Sequence, residues 1–211
     1  MNKAIIFDLD GTLWDSTGSI PEIWNKVLLR NNINILMTQK NLQSLMGKTM
    51  YEIGDILFPA LDRDHRNRIM DECGQEEVIY LEKHGAVLYE GLKDTLSILS
   101  KDYGLYIVSN CQENYVRSFL RAHNLMSWFT DYEESGRTGL SKADNIRMIM
   151  ERNHIRQAAY VGDTEGDESA ARHAGIPFIY AAYGFGTAQA PDAVIDSISQ
   201  LPAAVNQGTV L

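Results

Sequence analysis

Four short apolar runs mark the chain, at residues 4–7, 105–108, 158–161 and 176–181. Each is too short for an ordinary helix and is bounded by polar or turn-forming residues, as expected of strands buried on both faces. A weaker strand is expected around residues 129–133. The segments between them carry a different period. Tyr115, Phe119 and Leu120 share one helical face, and Ile146, Ile149 and Met150 share another. Strands alternating with helices predict an α/β architecture, a mainly parallel sheet covered on both sides.

The pattern changes between residues 16 and 84, where helical spacing dominates and no convincing strand is found. Pro21 suits a first helical turn, and Ile23, Trp24, Val27 and Leu28 follow as an apolar stripe. Thr38 is a candidate cap for a second helix. A third is expected from Tyr51 to Leu57, stopping near Pro59. A longer one starts at Asp62 and carries Ile69, Cys73, Val78 and Leu81 despite Gly74. The expected organisation is a core of residues 1–15 and 85–211 with a helical cap domain of residues 16–84 inserted after the first strand.

Composition narrows the function. The chain has 211 residues, 45% hydrophobic and 22% charged, enough for one full core and a smaller appendage. A formal net charge of -9, with no basic block, argues against nucleic acid and anionic membranes as partners. A small phosphorylated metabolite stays compatible, because local cations and a metal can offset a global negative field. Cys73 and Cys111 match no metal or redox spacing, and no signal peptide or membrane span is apparent, so the expected location is the cytoplasm.

The candidate chemistry lies where strands end. Asp8-Leu9-Asp10-Gly11-Thr12 follows the first apolar run, and alternation along a strand would put Asp8 and Asp10 on one side, with Leu9 on the other. Gly11 frees the exit from the strand, and Thr12 adds a hydroxyl near where an anion would sit. Ser109-Asn110 ends the second run, where a hydroxyl and backbone amides can hold phosphate oxygens. Cys111, with no histidine near it in sequence, reads as a structural thiol. Ser141-Lys142-Ala143-Asp144 looks like a capping box, which places Lys142 in a first helical turn, where a cation is disfavoured by the helix dipole unless an anion compensates it. Asp163 ends the fourth strand, and Asp167 follows one helical turn later. Asp8 and Asp163 suit magnesium, which takes oxygen ligands and is held by one or two carboxylates plus substrate phosphate.

In this order and strand context, Asp8-Leu9-Asp10-Gly11-Thr12, Ser109-Asn110, Lys142, and Gly162-Asp163 with Asp167 resemble the four motifs of the haloacid dehalogenase-like hydrolase superfamily. The resemblance is to its phosphoglycolate-phosphatase-like branch, with a helical cap after the first motif. It implies a Rossmann-like core and a magnesium-dependent phosphatase acting on a small phosphomonoester, phosphoglycolate-like or a sugar phosphate. By the same resemblance Asp8 is the nucleophile that forms an aspartyl-phosphate, and Asp10 the acid and base. Gly11, Thr12, Ser109, Asn110 and Lys142 hold the phosphoryl group. Asp8, Asp163 and the backbone carbonyl of Asp10 hold the metal, with Asp167 orienting metal waters or Lys142. A sugar phosphomutase of the β-phosphoglucomutase type is the alternative enzyme, although Met50 stands where such mutases often carry arginine. A non-catalytic phosphate-ligand sensor is the non-enzyme alternative, and a monomer or homodimer is expected. The family's usual Tyr-Pro-Gly turn is Tyr89-Glu90-Gly91 here. Trp14, Trp24, Lys48 and Tyr51 are candidate substrate contacts, with packing the readier explanation for Trp24.

Overall fold

The computed structural model describes residues 3–206. In the first half of the chain are strand β1 (Lys3–Phe7), the short β2 (Trp14–Asp15), and helices α1 (Ile20–Arg30), α2 (Gln39–Gln43), α3 (Met50–Leu57) and α4 (Arg63–His84). Then come β3 (Val87–Leu88), α5 (Leu92–Leu99), β4 (Gly104–Ser109), α6 (Tyr115–Ala122), β5 (Asp131–Glu134), α7 (Ser135–Thr138) and α8 (Lys142–Arg152). The last elements are β6 (Gln157–Gly162), α9 (Glu165–Ala174), β7 (Phe178–Ala181), β8 (Ala193–Ile195), a short 3-10 turn and α10 (Leu201–Asn206).

Six strands form one parallel sheet in the order β5-β4-β1-β6-β7-β8. Ile5 lies opposite Leu105 on one side and Ala159 on the other. Alternation then splits the strands between two cores. Ile5, Phe7, Leu105, Ile107, Ala159 and Val161 enter the larger core with α5, α6 and α10, whereas Ala4, Ile6, Tyr106, Val108, Ala158 and Tyr160 pack on α8 and α9. Because β1 has β4 on one side and β6 on the other, the connections diverge from it, and a crevice opens beyond the carboxyl ends of these three strands.

β7 starts two residues later than the apolar run suggests. The Ile176 amide is spent on the Ala171 carbonyl, closing α9 through Gly175 in the left-handed region (φ 79°), and Pro177 has no amide to donate. β2 and β3, which the sequence reading did not anticipate, pair antiparallel, Trp14 opposite Leu88 and Asp15 opposite Val87. The chain therefore leaves for the four helices α1–α4 and returns from them side by side. The expected limits of the cap, 16 and 84, fall beside this pair. Thr38 and Thr49 cap α2 and α3 with reciprocal bonds to Asn41 and Glu52. The stripe of α1 packs on α4, and α4 packs on α6 of the core. Gly54 of α3 leaves room for this arrangement, since a Cβ there would meet the Met70 side chain of α4 at 2.8 Å. No helix among the described residues is long and apolar enough to cross a membrane.

Candidate active site

Asp8 ends the β1 ladder, its amide donating to the Val161 carbonyl of β6 at 2.8 Å. Its side chain is buried, and Oδ1 accepts from Lys142 Nζ at 3.0 Å. Lys142 also donates to Asp167 Oδ1, so one buried ammonium bridges two carboxylates. Burial, then the charge of Asp167, pushes the Asp8 carboxyl up to about 7 against the pull of Lys142. Burial also works against the charge on Lys142, but Asp167 and Asp8 outweigh it and hold the ammonium well above its ordinary range.

The local geometry of Asp10 differs from a continued strand. After Asp8 the backbone turns, with the Thr12 and Leu13 amides donating to the Leu9 carbonyl, so Leu9 is drawn inward and fully buried. Asp10 is then fixed by three donors on Oδ1: Ser16 Oγ at 2.6 Å, Trp14 Nε1 at 2.9 Å and Tyr115 Oη at 2.9 Å. Burial raises its carboxyl to about 6 although these bonds, Ser16 first, pull it down.

Asp163, at the end of β6, is wholly buried and accepts from the Phe185 amide at 2.7 Å. Burial, Asp167 and Asp8 hold its carboxyl well above the usual carboxylate range. Asp167 reaches back from α9, where Oδ2 accepts from Thr164 Oγ1 at 2.7 Å and from the amides of Thr164 and Asp163 at 3.0 and 3.2 Å. Carboxylate oxygens of Asp8, Asp163 and Asp167 all lie within 4.8 Å of one another. Three buried acids face a single lysine, and Asp167 is already saturated with donors. The oxygens of Asp8 and Asp163 therefore fit a divalent cation that takes oxygen ligands.

Gly11 and Thr12, expected to hold phosphate, are engaged elsewhere. The Gly11 amide donates to the Trp14 carbonyl, and a Cβ at this residue would fall 2.3 Å from Asp163 Oδ2. With φ at +80°, Gly11 is needed for its shape and for the close approach of Asp163. Thr12 is fully buried with its hydroxyl directed at Asp163 Oδ1, 3.4 Å away. Ser109 and Asn110, in contrast, line a cavity of about 40 Å³ with Asp8 and Asp10. Asn110 also reaches the helical insert, its Nδ2 donating to the carbonyl of Gly47, between α2 and α3, at 2.8 Å. The cavity has space for a few waters at most.

Among the candidate substrate contacts, Trp14 is buried and committed to Asp10, and Tyr51 is half exposed with its hydroxyl on Asp71. Trp24 and Lys48 do line the cavity. Cys111 lines it too, but burial and Glu134 push its thiol well above the ordinary range, as suits an inert thiol. The sequence reading missed Ser16, Tyr115, Phe185 and Glu77. Tyr115 stands 105 residues from Asp10, and no spacing rule connects them. Glu77, on α4, lines the cavity from the cap, and burial raises its carboxyl to about 8.

Replacing Lys142 tests this electrostatic account. Lys142→Met leaves Asp8 and Asp167 buried without their counter-charge, which costs about 3–5 kcal/mol. In metal-free buffer Tm is expected to fall by roughly 10 °C for a chain of this size. A fall of only about a degree by thermal melting would show that the carboxyls relieve the strain by protonating.

The model for haloacid dehalogenase-like hydrolases matches residues 5–181. A phosphoglycolate phosphatase from Photobacterium profundum is 27% identical over 228 residues, covering 94% of this chain and 93% of that protein. Another from Rhodobacter capsulatus is 26% identical, covering 88% and 86%. Among solved structures, a haloacid dehalogenase-like hydrolase from Streptococcus pneumoniae superposes with a TM-score of 0.81 at 23% identity, over 96% of this chain and 98% of that one. CbbY from Rhodobacter sphaeroides, crystallised with xylulose-(1,5)-bisphosphate, gives 0.81 at 17% identity over 95% and 96%. At these identities the two structures speak for the fold alone.

Proposed function

This chain belongs to the haloacid dehalogenase-like hydrolase family, and from that premise we propose that it is a magnesium-dependent phosphatase hydrolysing a small phosphomonoester through a covalent intermediate on Asp8. The observation that carries the reading is the Asp8–Lys142–Asp167 bridge, with Asp163 beside it and Asp10 held in the same cavity.

A carboxylate oxygen of Asp8 forms a bond to phosphorus as the bond from phosphorus to the ester oxygen breaks. Asp10, a carboxyl raised to about 6, gives its proton to the departing oxygen, so the alcohol leaves neutral. The same group then removes a proton from water, whose oxygen attacks phosphorus and releases phosphate, restoring the Asp8 carboxylate. The three donors on Asp10 Oδ1 keep that oxygen occupied and leave Oδ2 for proton transfer. Lys142, Ser109 and Asn110 hold the charge on the transferring group. Gly11 and Thr12 act indirectly, by keeping Asp163 in place. Asp8, Asp163 and the Asp10 carbonyl would hold magnesium, which when bound neutralises charge between the acids and the phosphate.

The test is phosphate release from glycolyl, sugar, nucleotide and aryl phosphates with and without magnesium. Net release with metal supports the reading, whereas transfer from a sugar bisphosphate to a hexose phosphate would make the protein a mutase. Asp10→Asn keeps an oxygen for Trp14, Ser16 and Tyr115, so it is expected to fold normally. Its kcat on alkyl phosphates is expected to fall by about 10²–10⁴. The loss should be smaller on an aryl phosphate in single-turnover measurements, because a phenolate leaves without a proton.

A further inference from the structure

Glu77 is a buried acid that the reaction above does not use. It belongs to α4, whose other acids lie outward: Glu72 and Glu76 pair with Arg30, and Glu82 with Arg121. Glu77 is 4% exposed and forms no ion pair among the described residues. Its Oε2 accepts from Trp24 Nε1 at 3.0 Å. The Gln112 side chain and the charge of Asp10 also act on its carboxyl. A buried carboxyl is costly unless its oxygens are used. The indole needs only one acceptor, which a glutamine would supply without the charge. Glu77 is also in the lining of the cavity that holds Asp8, Asp10, Ser109 and Asn110.

We propose that Glu77 determines specificity by pairing with a hydroxyl of the leaving group, and that the substrate is the phosphomonoester of a small uncharged polyol rather than of a hydroxy acid. The inference rests on the phosphatase reading above. Asp10 faces the departing oxygen in that reaction and lines the same small cavity as Glu77. The atoms next to that oxygen therefore enter the space that Glu77 borders. A hydroxyl suits the carboxyl in either protonation state, donating to the carboxylate or accepting from the acid. A leaving-group carboxylate would have to share a space lined by three buried carboxyl groups, Asp8, Asp10 and Glu77, while Lys142 is committed to Asp8 and Asp167. Lys48 is the cation of the lining itself, and it also borders the outer groove with Thr164 and Gly186.

Two esters of matched size decide the matter: 2-hydroxyethyl phosphate and 2-phosphoglycolate differ only in CH₂OH against carboxylate. The wild-type protein with magnesium is expected to prefer the hydroxyethyl ester by about tenfold in kcat/KM, the worth of one hydrogen bond at the upper end of the usual range. In Glu77→Leu the ratio of kcat/KM for this ester to that for 4-nitrophenyl phosphate is expected to fall by about 10- to 100-fold. Glu77→Gln, which keeps an acceptor and a donor, should restore most of that ratio. A wild-type preference for 2-phosphoglycolate, with Lys48 meeting the carboxylate, would overturn the proposal, as would an unaltered ratio in Glu77→Leu. If Glu77→Leu does not melt cooperatively, the wild-type ranking decides alone. Aryl phosphate hydrolysis without the expected ranking sinks only the role of Glu77, whereas no release from any ester sinks the phosphatase reading and this inference together.

Discussion

Asp8→Asn is expected to lower phosphate release by at least about 10⁴-fold, equivalent to more than roughly 5 kcal/mol of transition-state stabilisation. The amide cannot attack phosphorus, and no neighbour replaces it. Asp10 is held away by three donors on one oxygen, and Asp163 is held by the Phe185 amide and approached closely by Gly11. The fold should tolerate the change. The Asp8 carboxyl is raised to about 7 because burial and Asp167 oppose its charge, so removing that charge at pH 8 relieves repulsion even as Lys142 loses a partner. Tm at that pH is expected to stay level or rise. Phosphate release in single-turnover assays checks the first statement and thermal melting the second. Turnover close to wild type would mean that the covalent step does not use Asp8.

Chelation of magnesium is expected to lower turnover by at least about 10³-fold and to destabilise the protein strongly at pH 8 but weakly at pH 5.5. A carboxyl raised in the folded state binds protons that the unfolded chain has released. Stability is therefore lost progressively as pH rises from the ordinary value of 3.8 to about 7 for Asp8, and to about 6 for Asp10. Asp163 moves in the same direction. The metal-free protein thus becomes less stable as pH climbs through this window, and at pH 5.5, still under both folded values, Asp8 and Asp10 stay largely protonated and repel little. A cation bound between Asp8 and Asp163 must displace those protons at pH 5.5 but not at pH 8. With magnesium at about 100 times its dissociation constant, the stabilisation is roughly 2.7 kcal/mol, or about 5–10 °C in Tm. Melting curves at the two pH values, with magnesium or chelator, read it directly. A shift of equal size at both would show that the buried acids are not the binding groups.

Much of the core was legible from local pattern. The runs at 4–7, 105–108 and 158–161 became β1, β4 and β6, because two-sided burial demands continuous apolar sequence whatever the neighbours are. The acids at the ends of these runs come together for a topological reason: parallel strands bring their carboxyl ends to one edge. Helix caps were equally local, since Thr38 and Ser141 bond to residues three positions away. β8 was not legible, for three residues with an exposed Val194 carry too little pattern.

Sequence by itself thus determined the alternation of strands and helices, the helical insert and the positions of Asp8, Asp10, Lys142, Asp163 and Asp167, all of which follow from short-range periodicity and strand ends. Only the tertiary structure decided what each acid touches. It joined Asp10 to Tyr115, turned Gly11 and Thr12 toward Asp163 rather than the cavity, and brought Glu77 into one cavity lining with Asp8 and Asp10. Contacts of this kind depend on how elements dock, and one residue along a helix turns a side chain by about 100°. Periodicity therefore tells which face of α4 is buried, but not which of its acids will line the cavity.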